Sequence, residues 1–189
     1  MARPRNFDLK DVIQKAMMAF WQDGYEGTTM RSLQEATGVN GKGLSNVFGD
    51  KEQIFLKALE AYSEMYENVL NDSFAIPSLV AIEKFFEGLI EDQGTAEDPL
   101  SNGCLMVNTV FEIDRASGDV KKIVDQYRHM FVVHFSKSLE AANIEGVDDK
   151  AEFLVGMLWG ALLQMKLCSS RAAAVPMTQQ VLKTISSWG

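Results

Sequence analysis

The chain has 189 residues, 47% hydrophobic and 23% charged, with 18 Lys+Arg against 26 Asp+Glu for a formal charge of −8. That length and apolar share suffice for one large domain, or a small one joined to a larger one, with a proper core. Two cysteines 64 residues apart exclude a scaffold built on disulfides, and the pattern fits reduced thiols in a cytoplasm.

The acidity is uneven. Residues 1–60 hold eight basic against eight acidic side chains, and residues 61–189 hold ten against eighteen. The acidic remainder would repel a polyanion from its surface, and the N-terminal part is neutral rather than strongly basic. Met1-Ala2-Arg3-Pro4-Arg5 leads into an amphipathic segment rather than an apolar leader. The most apolar run, Phe153 to Met165, contains Gln164 and falls short of the ~20 residues of a membrane span. The expectation is a cytoplasmic protein with no membrane partner.

The periodicity is helical throughout. Leu9, Val12, Ile13, Ala16, Met17, Phe20 and Trp21 recur at three- and four-residue steps, and Gly24 is expected to end that helix. Thr28 or Thr29 caps a short second helix through Ala36, and Asn40 a third through about Val47. Asp50 caps a long fourth with Ile54, Phe55, Ala58, Leu59, Tyr62, Tyr66, Val69 and Leu70. Pro77 opens a fifth, Asp92 to Asn102 reads as a loop, and Gly103 to Ala116 as a sixth helix. Ser117-Gly118 precedes a long seventh carrying Val120 to Leu139, and Asp148 to about Arg171 forms an eighth, apolar on most sides. Pro176 starts a ninth with Val181, Leu182, Ile185 and Trp188. The fold class expected is all-α: a three-helix head over residues 1–50 and a six-helix body over 51–189. A helix apolar around most of its circumference must be covered around most of it, so the eighth helix is either buried centrally within one protomer or, with the ninth, covered by a second copy as a homodimer interface over residues 148–188.

The two short helices around Gly38 read as a helix-turn-helix, whose second helix enters the major groove. No catalytic motif accompanies it. The Gly38–Gly43 stretch lacks the phosphate-loop spacing, since position 36 is alanine and Gly43 stands where Ser/Thr is required. His129 and His134 have no ligand-spaced partner, so no metal is expected. Neither a serine elbow nor a zinc-protease motif occurs, and neither an enzyme nor a cofactor is expected.

Phe20-Trp21, Gly24-Tyr25-Glu26-Gly27-Thr28-Thr29-Met30, Ala36-Thr37-Gly38-Val39, Leu44 and Phe48-Gly49-Asp50-Lys51-Glu52 resemble the TetR family of bacterial transcriptional regulators. The likeness is dense over residues 7–60. Beyond it lies mainly helix count and length, together with Gly103-Cys104-Leu105-Met106-Val107-Asn108-Thr109, similar to a segment of some members. The resemblance implies an all-helical homodimer with an N-terminal DNA head and a C-terminal body that binds a small effector. Most members repress, and effector binding releases them from a roughly palindromic double-stranded operator.

On that footing Thr28 and Thr29, at a helix N-terminus, are expected to hold phosphate or to act as caps. Lys51 matches the family's phosphate-contacting lysine, and Arg3 and Arg5 form a basic arm toward the minor groove or a frayed end. Asn40, Gly41, Lys42, Ser45 and Asn46 occupy the exposed part of the recognition helix, where Lys suits guanine and Asn adenine. Leu33, Ala36, Val39, Leu44 and Phe48 are assigned to the head's core. Ser45 departs from the tyrosine usual in the family. Lys42 stands where a small residue is usual, with glycines at 41 and 43 instead. Those departures and the neutral head favour an alternative: a helical ligand-binding or protein-interaction module with weakened or lost DNA binding.

The resemblance places an effector, of apolar character, among Cys104, Met106, Phe111, Tyr127, Met130, Phe131, Trp159 and Met165. Cys104, beside Gly103 at a helix start, has two readings. One is a thiol activated by the helix dipole, able to sense oxidants or electrophiles. The other is a small buried apolar side chain.

Overall fold

The computed structural model describes residues 7–91, 99–112 and 118–189. The described residues form nine α-helices and no strand: α1 (Leu9–Gly27), α2 (Met30–Thr37), α3 (Gly41–Phe48), α4 (Lys51–Ser73), α5 (Leu79–Ile90), α6 (Leu105–Val110), α7 (Gly118–Ala141), α8 (Val147–Cys168) and α9 (Val175–Ser186). Short 3-10 turns at Pro99–Asn102 and Arg171–Ala174 precede α6 and α9. The all-α expectation of three head helices and six body helices holds. The Arg3/Arg5 arm and most of the 92–102 loop fall outside the described residues, as do 113–116 of the expected sixth helix and Ser117.

The starts follow from local chemistry. Asp8, Thr29, Asn40, Asp50 and Ser78 each accept a backbone N–H of their helix's first turn, and such caps contribute about 1 kcal/mol apiece. Thr29 and Ser32 form a reciprocal capping box. Pro77 does not open α5 as expected; Ser78 caps it and the helix begins at Leu79, because a side-chain oxygen satisfies the free amides better than proline can.

Gly24 does not end α1. It adopts φ 74°, ψ 174°, breaking the helix for one residue before a last turn to Gly27. The sixth helix is also shorter than expected: Phe111 and Glu112 turn back onto the carbonyls of Asn108 and Thr109.

In the head, α1 lies across α2 and α4 and buries Val12, Ala16, Phe20 and Trp21. Leu33, Val39, Leu44 and Phe48 join them as expected. Ala36 does not: it is exposed and edges a shallow groove between α1 and α2 that includes Met18, Ala19 and Ser32. Helix α4 packs on α1 at one end and on α7 further along, so the boundary expected at residue 50 falls at the start of a helix serving both halves.

The body core is aromatic. Tyr62, Tyr66, Phe74, Phe85, Phe86, Tyr127, Phe131 and Phe135 form a continuous chain of ring contacts between α4, α5 and α7. Side chains of this size each contribute about 1.5–3 kcal/mol on burial. Helix α8 is long and apolar enough, by length and composition, to cross a membrane. In the fold its Ala151, Leu154, Val155, Leu158, Ala161, Leu162 and Met165 are buried, with α6, α7 and α9 packed on it.

Candidate nucleic-acid interface and effector site

The recognition element is α3. Its N-cap Asn40 takes Gly43 N–H at 2.8 Å, and Gln34 of α2 takes Gly41 N–H at 2.8 Å. Gly43 has a steric reason as well: a Cβ there would stand 3.0 Å from Val39 Cγ1 and 3.4 Å from the capping oxygen of Asn40. With Leu44 and Phe48 buried, the opposite face exposes Lys42, Ser45 and Asn46. These three side chains stand outward together, free to meet a groove floor. Asn40 is exposed, but its carbonyl oxygen is committed to the cap, so a bidentate contact to adenine would require breaking it. The Gly41 amide is likewise already taken by Gln34.

The α2 start differs from the expectation. Thr28 is 0% exposed and its hydroxyl donates to Gly24 O at 2.6 Å, so its side chain does not present an oxygen to a phosphate. Thr29 is exposed and its hydroxyl is engaged in the capping box with Ser32. Lys51 also has a different position from that of a free surface lysine. Its ammonium donates to Tyr25 O and Thr28 O, both at 3.0 Å, and lies 4.1 Å from the Tyr25 ring centroid. It ties the start of α4 to the α1–α2 turn, leaving one N–H of its three for any further partner.

Two residues escaped the sequence reading. Gln34 fixes the start of α3, a link that only the folded turn reveals. Arg31 stands outward from the first turn of α2 with its side chain 88% exposed, paired with Glu35 at 3.0 Å. An ion pair that exposed is worth little, so its guanidinium can be given up to a phosphate. Its signal in the sequence was a cation two residues beyond the Thr29 cap.

In the body, Cys104, Met106, Tyr127, Phe131 and Met165 are buried together, and Met130 and Trp159 pack half-buried against them. Phe111 is not among them: the α6 turn leaves it 72% exposed, away from the effector site where the resemblance placed it. Tyr62 and Tyr66 of α4 take part instead. Tyr62 Oη donates to Cys104 Sγ at 3.4 Å, and Tyr127 Oη lies 3.5 Å from the same sulfur. Tyr66 lies tilted against Tyr62 with ring centroids 4.8 Å apart and meets Tyr127 edge-on at 5.7 Å. Tyr62, Tyr127 and Cys104 thus form a small polar centre of two phenols and a thiol, with the rings of Tyr66 and Phe131 against it.

Burial pushes the Cys104 thiol up, outweighing the hydrogen bonds from Tyr62 and Tyr127 that pull it down. Burial likewise drives both phenols well above their ordinary range. The activated-thiolate reading therefore fails in this conformation: α6 is a single short helix, and desolvation dominates whatever its dipole offers. Cys104 is the small buried side chain of the second reading. Among the described residues no group of three or more His, Cys, Asp or Glu side chains is arranged to hold a metal ion.

The pattern of the bacterial regulatory proteins of the tetR family matches residues 12–58, which span the helix-turn-helix and its support by α1 and α4. Over 123 residues the chain is 30% identical to the HTH-type transcriptional repressor ComR of Escherichia coli K12, covering 62% of this chain and 57% of that one. The chain thus matches less than two thirds of that relative's length. It is 22% identical over 170 residues to the HTH-type transcriptional repressor DhaR of Mycobacterium sp. GP1, covering 85% and 83% of the two chains. In fold it is similar to the TetR family regulator CifR, solved as a cysteine mutant with 26-base-pair operator DNA. There the TM-score is 0.79 at 22% identity over the whole of both chains. Head pattern and architecture agree: residues 12–58 match the tetR family head, and the fold over the chain's whole length is similar to that of a TetR family regulator.

Proposed function

We propose that this protein is a cytoplasmic, homodimeric repressor that leaves a palindromic operator when a small apolar effector enters its body. The observation that carries the reading is the outward face of α3, where Lys42, Ser45 and Asn46 stand exposed above a buried Leu44 and Phe48. In this reading Lys42 and Asn46 meet base edges in the major groove, and Ser45 meets a base or a phosphate. Thr29, Arg31 and the third N–H of Lys51 meet phosphates, which position the head without specifying sequence. Asn40 and Gly41 lie along the groove edge and keep the helix start in shape.

The pairing surface is α8 with α9, residues 148–188. Phe153, Gly156 and Leu167 face outward from α8, Leu167 at 79% exposure, and Phe153 meets Trp188 with ring centroids 6.2 Å apart. A second copy would cover them. Trp159 Nε1 and Thr178 Oγ1 on these helices are buried without a hydrogen-bond partner. Such groups cost about 1–3 kcal/mol unless a partner protomer or ligand supplies one. The effector would lie against Tyr62, Tyr66, Cys104, Met106, Tyr127 and Phe131, with Met130, Trp159 and Met165 nearby.

Two matched heads must reach successive major grooves about 34–36 Å apart, so a modest rotation of the body suffices to end binding. The test is sedimentation of the full chain with fluorescence anisotropy on DNA from upstream of its own gene, at several salt concentrations. The expected result is a dimer that prefers one site and whose log affinity falls linearly with log salt, with a slope near −0.9 per phosphate contact. A monomer, or equal binding to every duplex, would sink the reading.

A further inference from the structure

Helix α6 is tied to α1 at both ends. At its entry, Trp21 Nε1 donates to Gly103 O at 3.0 Å; at its exit, Glu112 Oε2 accepts Tyr25 N–H at 2.8 Å. These bonds bridge 82 and 87 residues of sequence and join body to head. The exit tie is the more specific. The break at Gly24 deprives Tyr25 N–H of a partner within α1, and the Glu112 carboxylate takes its place, as an N-cap does for the first turn of a helix. The approach needs glycine at 24: a Cβ there would stand 2.7 Å from Glu112 Oε1.

On its other side the same residue is held by Lys51, whose ammonium takes Tyr25 O and Thr28 O. Tyr25 is therefore gripped by an anion from the body and by a cation from the start of α4. Thr28 leads directly into the Thr29 cap of α2. Glu112 itself is fixed to α6, because its N–H bonds Thr109 O. Cys104, at the helix's opposite end, is bonded to Tyr62 and Tyr127.

We propose that Glu112 is a positioning residue through which the body sets the DNA head, by capping the α1 break at Tyr25 opposite Lys51. Any movement of α6 at the Cys104 end is carried to Tyr25 and from there to the α2 start. The proposal rests on the operator-binding reading for its affinity arm only.

The experiment follows amide hydrogen exchange across the head and operator affinity in the full chain carrying Glu112→Ala or Glu112→Gln. Glutamine keeps an acceptor oxygen and is the rescue. In the alanine variant exchange is expected to rise from Tyr25 through α2 and α3, and operator affinity to fall about tenfold, the size of an ordinary coupling between sites. Glutamine should restore most of both. If the alanine variant does not fold, Glu112→Asp, one methylene shorter, should move both readouts the same way. Exchange that rises at Tyr25 alone, with affinity within about twofold of the parent, overturns the proposal. Should the parent chain show no selective DNA binding, the operator reading fails. The spread of exchange then decides on its own, with propagation supporting the positioning role and confinement refuting it.

Discussion

Replacing Gly103 by alanine is expected to destabilise the fold by about 2–5 kcal/mol, combining the cost of a left-handed alanine with that of overpacking. Gly103 sits at φ 74°, and a Cβ there would stand 2.9 Å from Leu162 O and 3.0 Å from Lys166 Cβ, both on α8. A backbone carbonyl inside a long helix cannot swing aside as a side-chain tip can. Relief requires moving the Gly103 segment, whose carbonyl is the acceptor for Trp21, so the strain is shared with α1. Urea unfolding measures the loss, and the thermal midpoint should drop by very roughly 5–15 °C for a chain of this size. A change below about 0.5 kcal/mol, typical of an indifferent surface substitution, would mean that α6 and α8 do not approach as described.

Lys51→Met has the second large effect expected, and it separates two roles for one ammonium. Methionine keeps the apolar stem but removes the two hydrogen bonds to Tyr25 O and Thr28 O and the contact with the Tyr25 ring. Charge-assisted bonds of this kind, discounted for partial exposure, support a loss of about 1–3 kcal/mol in the absence of DNA. If the remaining N–H also meets a phosphate, the slope of log affinity against log salt should fall by about one contact. A lysine serving phosphate alone would lower the slope and leave stability unchanged. Chemical denaturation without DNA distinguishes these outcomes, and unchanged stability would refute the clamp.

These two sites mark where the sequence was legible and where it was not. Caps and turns are local chemistry, so Thr29, Asn40, Asp50 and the Gly38 turn could be read from neighbouring residues alone. The core face of α3 followed from spacing, which also left Lys42, Ser45 and Asn46 outward. What escaped depended on partners far along the chain. Gly24 read as a stop because nothing nearby shows that Glu112, 88 positions later, cradles the break and lets a last turn follow. Thr28 and Lys51 read as phosphate ligands because the burial of the one and the two carbonyl bonds of the other come from the packed α1–α2 turn. Phe111 read as pocket lining because six residues of helix were taken for fourteen; once α6 ends at Val110, the ring turns out to solvent. Tyr62 and Tyr66 were recognised as apolar periodicity, but their hydroxyl and ring contacts with Cys104 and Tyr127 belong to tertiary structure. Gly43, which looked like a weakness of a recognition helix, proves to give room to Val39 and the Asn40 cap.

The most direct measurement is the affinity of the parent chain and of Lys42→Ala for the operator and for a scrambled duplex of equal length, at one fixed salt concentration. Lys42 is exposed on the face of α3 opposite Leu44 and Phe48, so its loss leaves the fold intact. If α3 reads bases, the variant should lose about 1–3 kcal/mol of discrimination between the two duplexes, with a smaller change on the scrambled one. Equal discrimination by parent and variant would contradict the account, because sequence would then be read by some surface other than the outward face of α3.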